Sequence, residues 1–144
     1  MLAITIAPFM AAASEQGTAE EATAMLERAV ALYEAEGIDA LIAAVSDKSN
    51  ADFHDRDLYV FVSEIDGNFV AHGVNAALVG RDLSGLTDAN GNAFIAEMNE
   101  VARSSGEGWV DYHWPNPATG NMEAKSTHIM RFGDYYAGVG IYKG

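Results

Sequence analysis

The chain has 144 residues, the size of one ordinary domain, and its 49 % hydrophobic and 20 % charged content allows a buried core and excludes a disordered chain. Only 8 Lys and Arg stand against 21 Asp and Glu, giving a formal net charge of −13, which argues against nucleic acid and anionic membranes as partners. Cysteine is absent, so disulfides and thiolate chemistry are excluded.

An apolar run near the N-terminus, from Leu2 to Ala13, ends in small residues. This pattern resembles the hydrophobic region and cleavage site of a secretory signal, although a basic region before it is missing. We therefore predict a truncated signal peptide over residues 1–13 and one domain over residues 14–144, acting in the periplasm or secreted. The alternative is that residues 1–13 form a short buried strand or helix of the mature protein.

Apolar residues at helical spacing predict three helices. The first and longest spans Thr18–Glu36, where Thr18 and Glu21 have the spacing of a capping box and Gly37 ends the helix. A second, short helix follows Gly37 directly. The third spans Ala93–Ser104 and carries an apolar stripe along one side.

Strand-forming segments fill most of the remaining chain. Five strands are predicted, at Leu58–Ser63, Phe69–His72, Trp109–Trp114, Met122–Phe132 and Tyr135–Tyr142. The polar segment Ser46–Asp57 is predicted as a loop or a broken helical turn. Gly73–Asn92 is predicted as loops with a short turn of helix across one face of the sheet. The fold class is therefore α+β: a five-stranded antiparallel sheet with the long N-terminal helix on one face and inserted helices and loops on the other.

The hairpin around residues 106–125 collects both tryptophans and a lysine. If Pro117–Gly120 forms its loop, Tyr112 lies opposite Lys125, and both share one face of the sheet with Trp114. An ammonium beside a phenol and an indole can hold a carboxylate, while the rings exclude water. The alternative is a surface ion pair of Lys125 with Glu123 or Asp111, with the rings as ordinary core.

His72 ends a predicted strand and faces a glycine-rich loop that contains Asn75. Its side chain is either a donor to a ligand or a capping or core histidine. The full set of predicted ligand-binding residues is Lys125, Tyr112, Trp114, His72, Tyr59 and Asn75.

Motifs for metals, nucleotides and catalysis are missing from the sequence. The four histidines do not have the spacing of zinc ligands, and Asp88–Asn92 is predicted as a turn because its spacing fails that of a calcium loop. No glycine-rich phosphate loop or nucleophile elbow occurs. We predict no metal, no cofactor and no enzymatic activity.

Several short motifs, taken together, resemble one known family. They are Asp57-Leu-Tyr-Val-Phe-Val62, Asp66-Gly67, Val70-Ala-His72, Leu78-Val-Gly80 with Asp82-Leu83, Asp88 with Gly91, Gly106-Glu-Gly-Trp-Val-Asp-Tyr112, Trp114-Pro-Asn-Pro117 with Thr119-Gly120, Lys125, and Gly138-Val-Gly-Ile-Tyr142. The chain resembles the single Cache domains of type 2, the PAS-like extracytoplasmic sensor modules of bacterial chemoreceptors and histidine kinases. The resemblance covers Thr18 to Lys143, and the Trp-Pro-Asn-Pro stretch followed by lysine is its most specific part.

This resemblance implies a PAS-like sheet with a pocket for a small organic molecule, often a short carboxylate, between the sheet and the inserted helices. It also implies a membrane-bound signalling partner. We therefore expect a non-catalytic domain that senses a short-chain organic acid outside the cytoplasm. The alternative is an interaction or dimerisation module with a vestigial pocket, forming a homodimer through its N-terminal helix.

Overall fold

The computed structural model describes residues 16–144. Within that range the elements are α1 (Ala19–Glu36), α2 (Ile38–Ser46), β1 (His54–Asp55), β2 (Leu58–Glu64), β3 (Phe69–His72), a 3₁₀ helix (Ala76–Leu78), α3 (Phe94–Ser104), β4 (Glu107–Pro115), β5 (Met122–Phe132) and β6 (Tyr135–Tyr142). The predicted signal peptide at 1–13 lies outside the described residues. No helix between residues 16 and 144 is both long enough and apolar enough to span a membrane.

The strands form one antiparallel sheet in the order β1-β2-β6-β5-β4, with β3 also paired to β2. The predicted α+β fold is confirmed, and all five predicted strands are present. The sheet has one strand more than predicted, because the two residues of β1 pair with the start of β2 inside the segment predicted as a loop. Arg56 adopts a left-handed conformation with φ of 57°, which closes this tight turn, and two residues are too few to show a strand pattern.

One face of the sheet packs against α1 and α2. Thr18 and Glu21 form the predicted capping box at the start of α1. The apolar face of α1 is fully buried at Ala22, Met25, Leu26 and Ala29, in one core cluster with Leu41 and Val45 of α2 and Val60 and Val62 of β2. The long N-terminal helix is therefore fixed by core packing.

The opposite face of the sheet carries a second core, covered by α3 and by the long connection that precedes it. Phe61, Val110, Tyr112, Ile129 and Tyr136 of the sheet pack here against Phe94, Ile95 and Met98 of α3. Because β2 supplies buried side chains to both cores, its alternation of polar and apolar residues is lost, as its sequence predicted.

Candidate functional site

The β4–β5 hairpin has the register that its loop length predicts. The Asn116 amide donates to the Asn121 carbonyl at 2.8 Å, and Tyr112 pairs directly with Lys125. Residues on paired strands that lie opposite each other share a face. Tyr112, Trp114 and Lys125 therefore all lie on the side of the sheet that α3 covers.

Lys125 is a buried cation surrounded by phenol groups. Only 2 % of the residue is exposed, and its Nζ donates to the hydroxyls of Tyr59 at 2.9 Å and Tyr142 at 3.2 Å. Nζ also lies 4.3 Å from the ring centroid of Tyr59, 4.6 Å from that of Tyr142 and 5.9 Å from that of Tyr112. These are cation–π distances, so the rings stabilise the ammonium as well as burying it.

A glycine on the neighbouring strand makes room for this lysine. A Cβ at Gly140 of β6 would lie 2.3 Å from Lys125 Cε and 2.3 Å from Thr127 Oγ1. Real side chains do not approach that closely. Gly140 is therefore required for the Lys125 side chain to cross β6 and reach the tyrosine hydroxyls.

Lys125 is a buried cation with little negative charge near it to offset the cost of its burial. Burial lowers the pKa of Lys125 to about 7, against a weaker opposing effect of the Asp57 carboxylate. Asp57 is itself buried and accepts the Gly17 amide at 2.8 Å through Oδ1, while its Oδ2 has no hydrogen-bond partner among residues 16–144. Within the described chain, Lys125 has no carboxylate within 4.0 Å.

The alternative prediction, a surface ion pair of Lys125 with Glu123 or Asp111, is wrong. Glu123 instead accepts from Asn116 Nδ2 at 3.0 Å and from Thr119 Oγ1 at 2.6 Å, within its own hairpin loop. These hydrogen bonds lower the pKa of the Glu123 carboxyl. Asp111 faces Lys143 at 3.5 Å.

The donor and the acceptor can be assigned in each hydrogen bond between Lys125 and its neighbouring tyrosine hydroxyls. Tyr142 donates to the Pro115 carbonyl at 2.8 Å, so in its 3.2 Å contact with Tyr59 it must accept. Tyr59 in turn accepts from Lys125. Two of the three Lys125 N–H donors are thus used, and the third has no partner in the described residues.

His72 has the capping role considered for it, and its role as a donor to a ligand stays a prediction. Its Nδ1 accepts the amides of Val74 at 3.2 Å and Asn75 at 2.9 Å, so it caps the chain after β3. Burial, with a smaller effect of Lys125, lowers the pKa of His72 to about 3, so the ring is neutral with its proton on Nε2. Among residues 16–144 no hydrogen bond engages Nε2, which leaves an N–H donor on a ring that lines a cavity.

That cavity lies between the sheet, α3 and the connection before α3. Its lining residues are Tyr59, Phe61, Phe69, His72, Leu78, Leu83, Leu86, Phe94, Ile95, Met98, Tyr112 and Trp114. Phe94 stacks on Tyr112 with ring centroids 4.4 Å apart, which fixes α3 against the hairpin. The space open to the centre of a water-sized sphere is about 10 Å³, room for about one water molecule.

Four of the six predicted site residues, Tyr59, His72, Tyr112 and Trp114, line the cavity. Lys125 does not line it; its Nζ is hydrogen-bonded to the hydroxyl of Tyr59, which does. Asn75 is exposed; its side chain accepts the Ala77 amide at 3.2 Å and caps the 3₁₀ helix. Which of these residues bind a ligand stays a prediction.

Tyr142 and Gly140 lie in one of the motifs of the resemblance but were not predicted as site residues, although a signal for both exists. The two-residue turn Gly133-Asp134 fixes the β5–β6 register from the pair of Phe132 and Tyr135. Counting along both strands places Tyr142 opposite Lys125 and Gly140 opposite Thr127, as observed.

Residues 16–144 contain no cluster of three or more His, Cys, Asp or Glu able to hold a metal ion. Asp88–Asn92 forms the predicted turn. The Asp88 carboxylate accepts the amides of Asn90 at 3.0 Å and Asn92 at 2.8 Å, which are bonds within the turn itself.

Comparison with known proteins agrees with the motifs. Residues 2–143 match the family model of single Cache domain 2. The chain is 32 % identical over 91 residues, 62 % of its length, to the methyl-accepting chemotaxis protein McpP of Pseudomonas putida, covering 17 % of that protein. It is 32 % identical over 89 residues, 60 % of its length, to the sensor histidine kinase MctS of Rhizobium johnstonii, covering 19 % of that protein. The chain therefore spans less than a fifth of the length of these curated relatives.

Three solved structures from the comparison share this fold. A periplasmic sensor domain of a chemotaxis protein has a TM-score of 0.68 at 27 % identity, covering 87 % of this chain and 90 % of that one. A methyl-accepting chemotaxis protein of Vibrio parahaemolyticus has a TM-score of 0.72 at 22 % identity, covering 85 % and 86 %. A Cache chemosensory domain, solved for the structural basis of its carboxylic acid recognition, has a TM-score of 0.67 at 23 % identity, covering 87 % and 88 %.

The last two likenesses, at 22 and 23 % identity, show the fold alone. The family model, by contrast, matches nearly the whole sequence. The resemblance inferred from the motifs is confirmed: the chain belongs to the single Cache domain 2 family, whose members are sensor domains of chemoreceptors and histidine kinases.

Proposed function

We propose that this domain senses a short monocarboxylic acid, holding the carboxylate at Lys125 and the carbon chain in the apolar cavity, without catalysis. The observation that carries the proposal is the buried Lys125 ammonium, which is 2 % exposed and has no carboxylate within 4.0 Å in the described chain. A buried charge without an opposite charge beside it is costly. An anionic ligand supplies the missing counter-charge, and a charge-assisted hydrogen bond is worth about 1.5–3 kcal/mol.

The side chains around the cavity favour a ligand with one carboxylate and no amino group. The cavity is lined by aromatic and aliphatic side chains with an N–H donor at His72, and its lining includes no Asp or Glu. A ligand ammonium would therefore be buried without an acceptor of opposite charge. A second carboxylate would lack a second cation, because the lining includes no Lys or Arg and Lys125 reaches it through the hydroxyl of Tyr59.

The size of the cavity favours a short carbon chain. With space for about one water molecule, the wall must move apart for any organic acid. Each added methylene increases both the apolar area buried and the displacement required. We expect two or three carbons to be optimal.

The tyrosines support a binding role over a catalytic one. Burial raises the pKa of Tyr59 and Tyr112 well above the usual value, so both stay protonated at neutral pH and neither acts as a general base. The proposal also includes an extracytoplasmic location and a membrane-bound signalling partner, since the family consists of sensor domains of chemoreceptors and kinases. That residues 1–13 are a truncated leader stays a prediction.

Calorimetric titration with formate, acetate, propionate, butyrate, succinate and alanine tests the proposal. Acetate and propionate should bind at least tenfold more tightly than succinate and alanine. Lys125→Met, which keeps the length of the side chain without its charge, should abolish binding. Lys143→Met removes an exposed ammonium and should bind as the wild type; equal binding by both variants would overturn the assignment of Lys125.

The small cavity favours a second candidate, an interaction or dimerisation module with a vestigial pocket. The apolar face of α1 is already buried within the domain, and Tyr33 packs on Phe132 with centroids 4.6 Å apart. A homodimer through α1 would therefore use the charged outer face of the helix. A dimer by solution mass measurement, together with no stabilising acid in the titrations, would favour this candidate over the sensor.

A further inference from the structure

The cavity has room for about one water molecule, so its walls must part to admit a ligand, and these walls differ in how firmly they are held. The sheet is fixed by its strand pairing, and α3 is fixed by the Phe94–Tyr112 stack and by the 2.7 Å hydrogen bond from Tyr136 to Asn99. The remaining wall is the connection between β3 and α3, which contributes Leu78, Leu83 and Leu86.

The first half of this connection is held firmly against β3 and its turn. The Gly80 amide donates to the Phe69 carbonyl at 2.8 Å, the Phe69 amide to the Arg81 carbonyl at 3.0 Å, and the Leu83 amide to the Gly67 carbonyl at 3.0 Å. These backbone hydrogen bonds fix the chain up to Leu83.

The second half, residues 84–92, is held differently; we call it the lid. At its base the lid is hydrogen-bonded to the preceding residues Asp82 and Leu83. Within the described chain, all its other hydrogen bonds to residues outside the lid are made with His113 on β4. The His113 amide donates to Asp88 Oδ2 at 2.9 Å, and Asn90 Nδ2 lies 3.0 Å from His113 Nδ1.

The lid is also easy to displace because little of it is buried. Leu86 is its one side chain that lines the cavity, and Asp88 is its one buried residue. Asp88 stays bonded to Asn90 and Asn92 of the same segment, so the turn can move as a unit. Gly85 and Gly91 have open space at the position of a Cβ and can act as hinges.

We propose that residues 84–92 are a lid over the cavity, that His113 is the residue that holds it closed, and that ligands enter by its opening. The proposed role in entry rests on the proposed function, since it needs a ligand that binds in the cavity. The opening itself does not, because it can be observed at the His113 amide. Segments with few buried contacts and few hydrogen bonds open most readily.

The absence of cysteine from the chain allows a direct test. In the variant Asn90→Cys/His113→Cys the two thiols are joined by dibromobimane, and the matched control is the same variant with both thiols alkylated. Association of propionate is followed by stopped-flow tryptophan fluorescence, since Trp114 lines the cavity. The cross-link should slow association at least tenfold relative to the control; equal rates would overturn the proposal.

Hydrogen exchange distinguishes failure of the lid proposal from failure of the ligand assignment. Tyr112 and Trp114 are paired with β5, whereas the amide of residue 113 depends on Asp88. The residue 113 amide should exchange at least tenfold faster than those of 112 and 114, and the cross-link should slow it at least tenfold. Propionate binding to neither the cross-linked variant nor its control, together with these exchange rates, would support the lid and overturn the ligand assignment. If the cross-link leaves exchange unchanged, the lid proposal fails.

Discussion

Lys125 on β5 lies directly opposite Tyr142 on β6, and its Nζ is 3.2 Å from the Tyr142 hydroxyl. That hydroxyl donates to the Pro115 carbonyl at 2.8 Å, so its oxygen is free to accept from the ammonium. The last strand of the domain thus holds the buried cation and ties it to the end of β4.

Replacing Tyr142 with Phe should weaken propionate binding while leaving the fold intact. The ring keeps its cation–π contact with Lys125, but the ammonium loses one acceptor and Pro115 loses its donor. We expect a loss of about 1–2 kcal/mol in binding free energy, measured by calorimetry. Tyr135→Phe, on the opposite face of the same strand, is the control; an equal loss there would show that the effect is not local to Lys125.

Adding a methyl group at Gly140 should displace Lys125. The new Cβ would lie 2.3 Å from Lys125 Cε, and overpacking of this kind costs about 1–3 kcal/mol of stability. Gly140→Ala should therefore lower the urea midpoint and abolish propionate binding. Gly85→Ala has open space at the same position, and a similar fall in its midpoint would contradict this explanation.

The stability of the ligand-free domain should rise with pH because of Lys125. Its folded pKa of about 7 lies below the unfolded value of about 10.4. Between these values the unfolded chain binds more protons, so unfolding becomes less favourable as pH rises, by up to about 1.4 kcal/mol per pH unit. Below pH 7 the ammonium is charged in both states and the full cost of its burial is present.

Urea unfolding of the wild type and Lys125→Met at pH 6 and pH 9 measures this effect. Lys125→Met should be the more stable protein at pH 6, and its advantage should shrink at pH 9. The difference between the two proteins isolates Lys125 from other titrating groups. A difference that does not change with pH would contradict the lowered pKa.

Removing the cap of α1 should destabilise the domain without affecting ligand binding. Thr18 accepts the Glu21 amide at 3.2 Å, and Glu21 accepts the Thr18 amide at 3.1 Å. Thr18→Ala should cost about 0.5–2 kcal/mol in the free energy of unfolding, measured by urea denaturation. Thr87→Ala at an exposed position should change stability by less; equal losses would contradict the role of the cap.

The hairpin was predictable because a short loop and a period of two fix the register of paired strands. The same counting from Gly133-Asp134 gives the position of Tyr142, so that residue could have been predicted as well. The position of Asn75 could not be predicted in this way. It lies in a connection whose path depends on hydrogen bonds to β3 and β4, and such tertiary contacts leave no periodic pattern in the sequence.

The burial of Lys125 and the small volume of the cavity were also beyond prediction. A lysine on an otherwise apolar face is compatible with both a surface ion pair and an interior position, as the two alternatives for Lys125 illustrate. The choice depends on three tyrosines from three different strands meeting at one point. The cavity volume depends on how far Leu83 and Leu86 of the connection pack inward, which spacing does not encode.

Proton uptake on ligand binding tests the central claim most directly. His72, with a pKa of about 3, stays neutral between pH 6 and pH 8, and the tyrosines stay protonated, so among these groups Lys125 alone changes charge near pH 7. Propionate binding measured calorimetrically in buffers of different ionisation enthalpy should take up nearly one proton per ligand at pH 8 and almost none well below pH 7. No proton uptake at pH 8, or propionate binding retained by Lys125→Met, would contradict the assignment of Lys125 as the carboxylate-binding group.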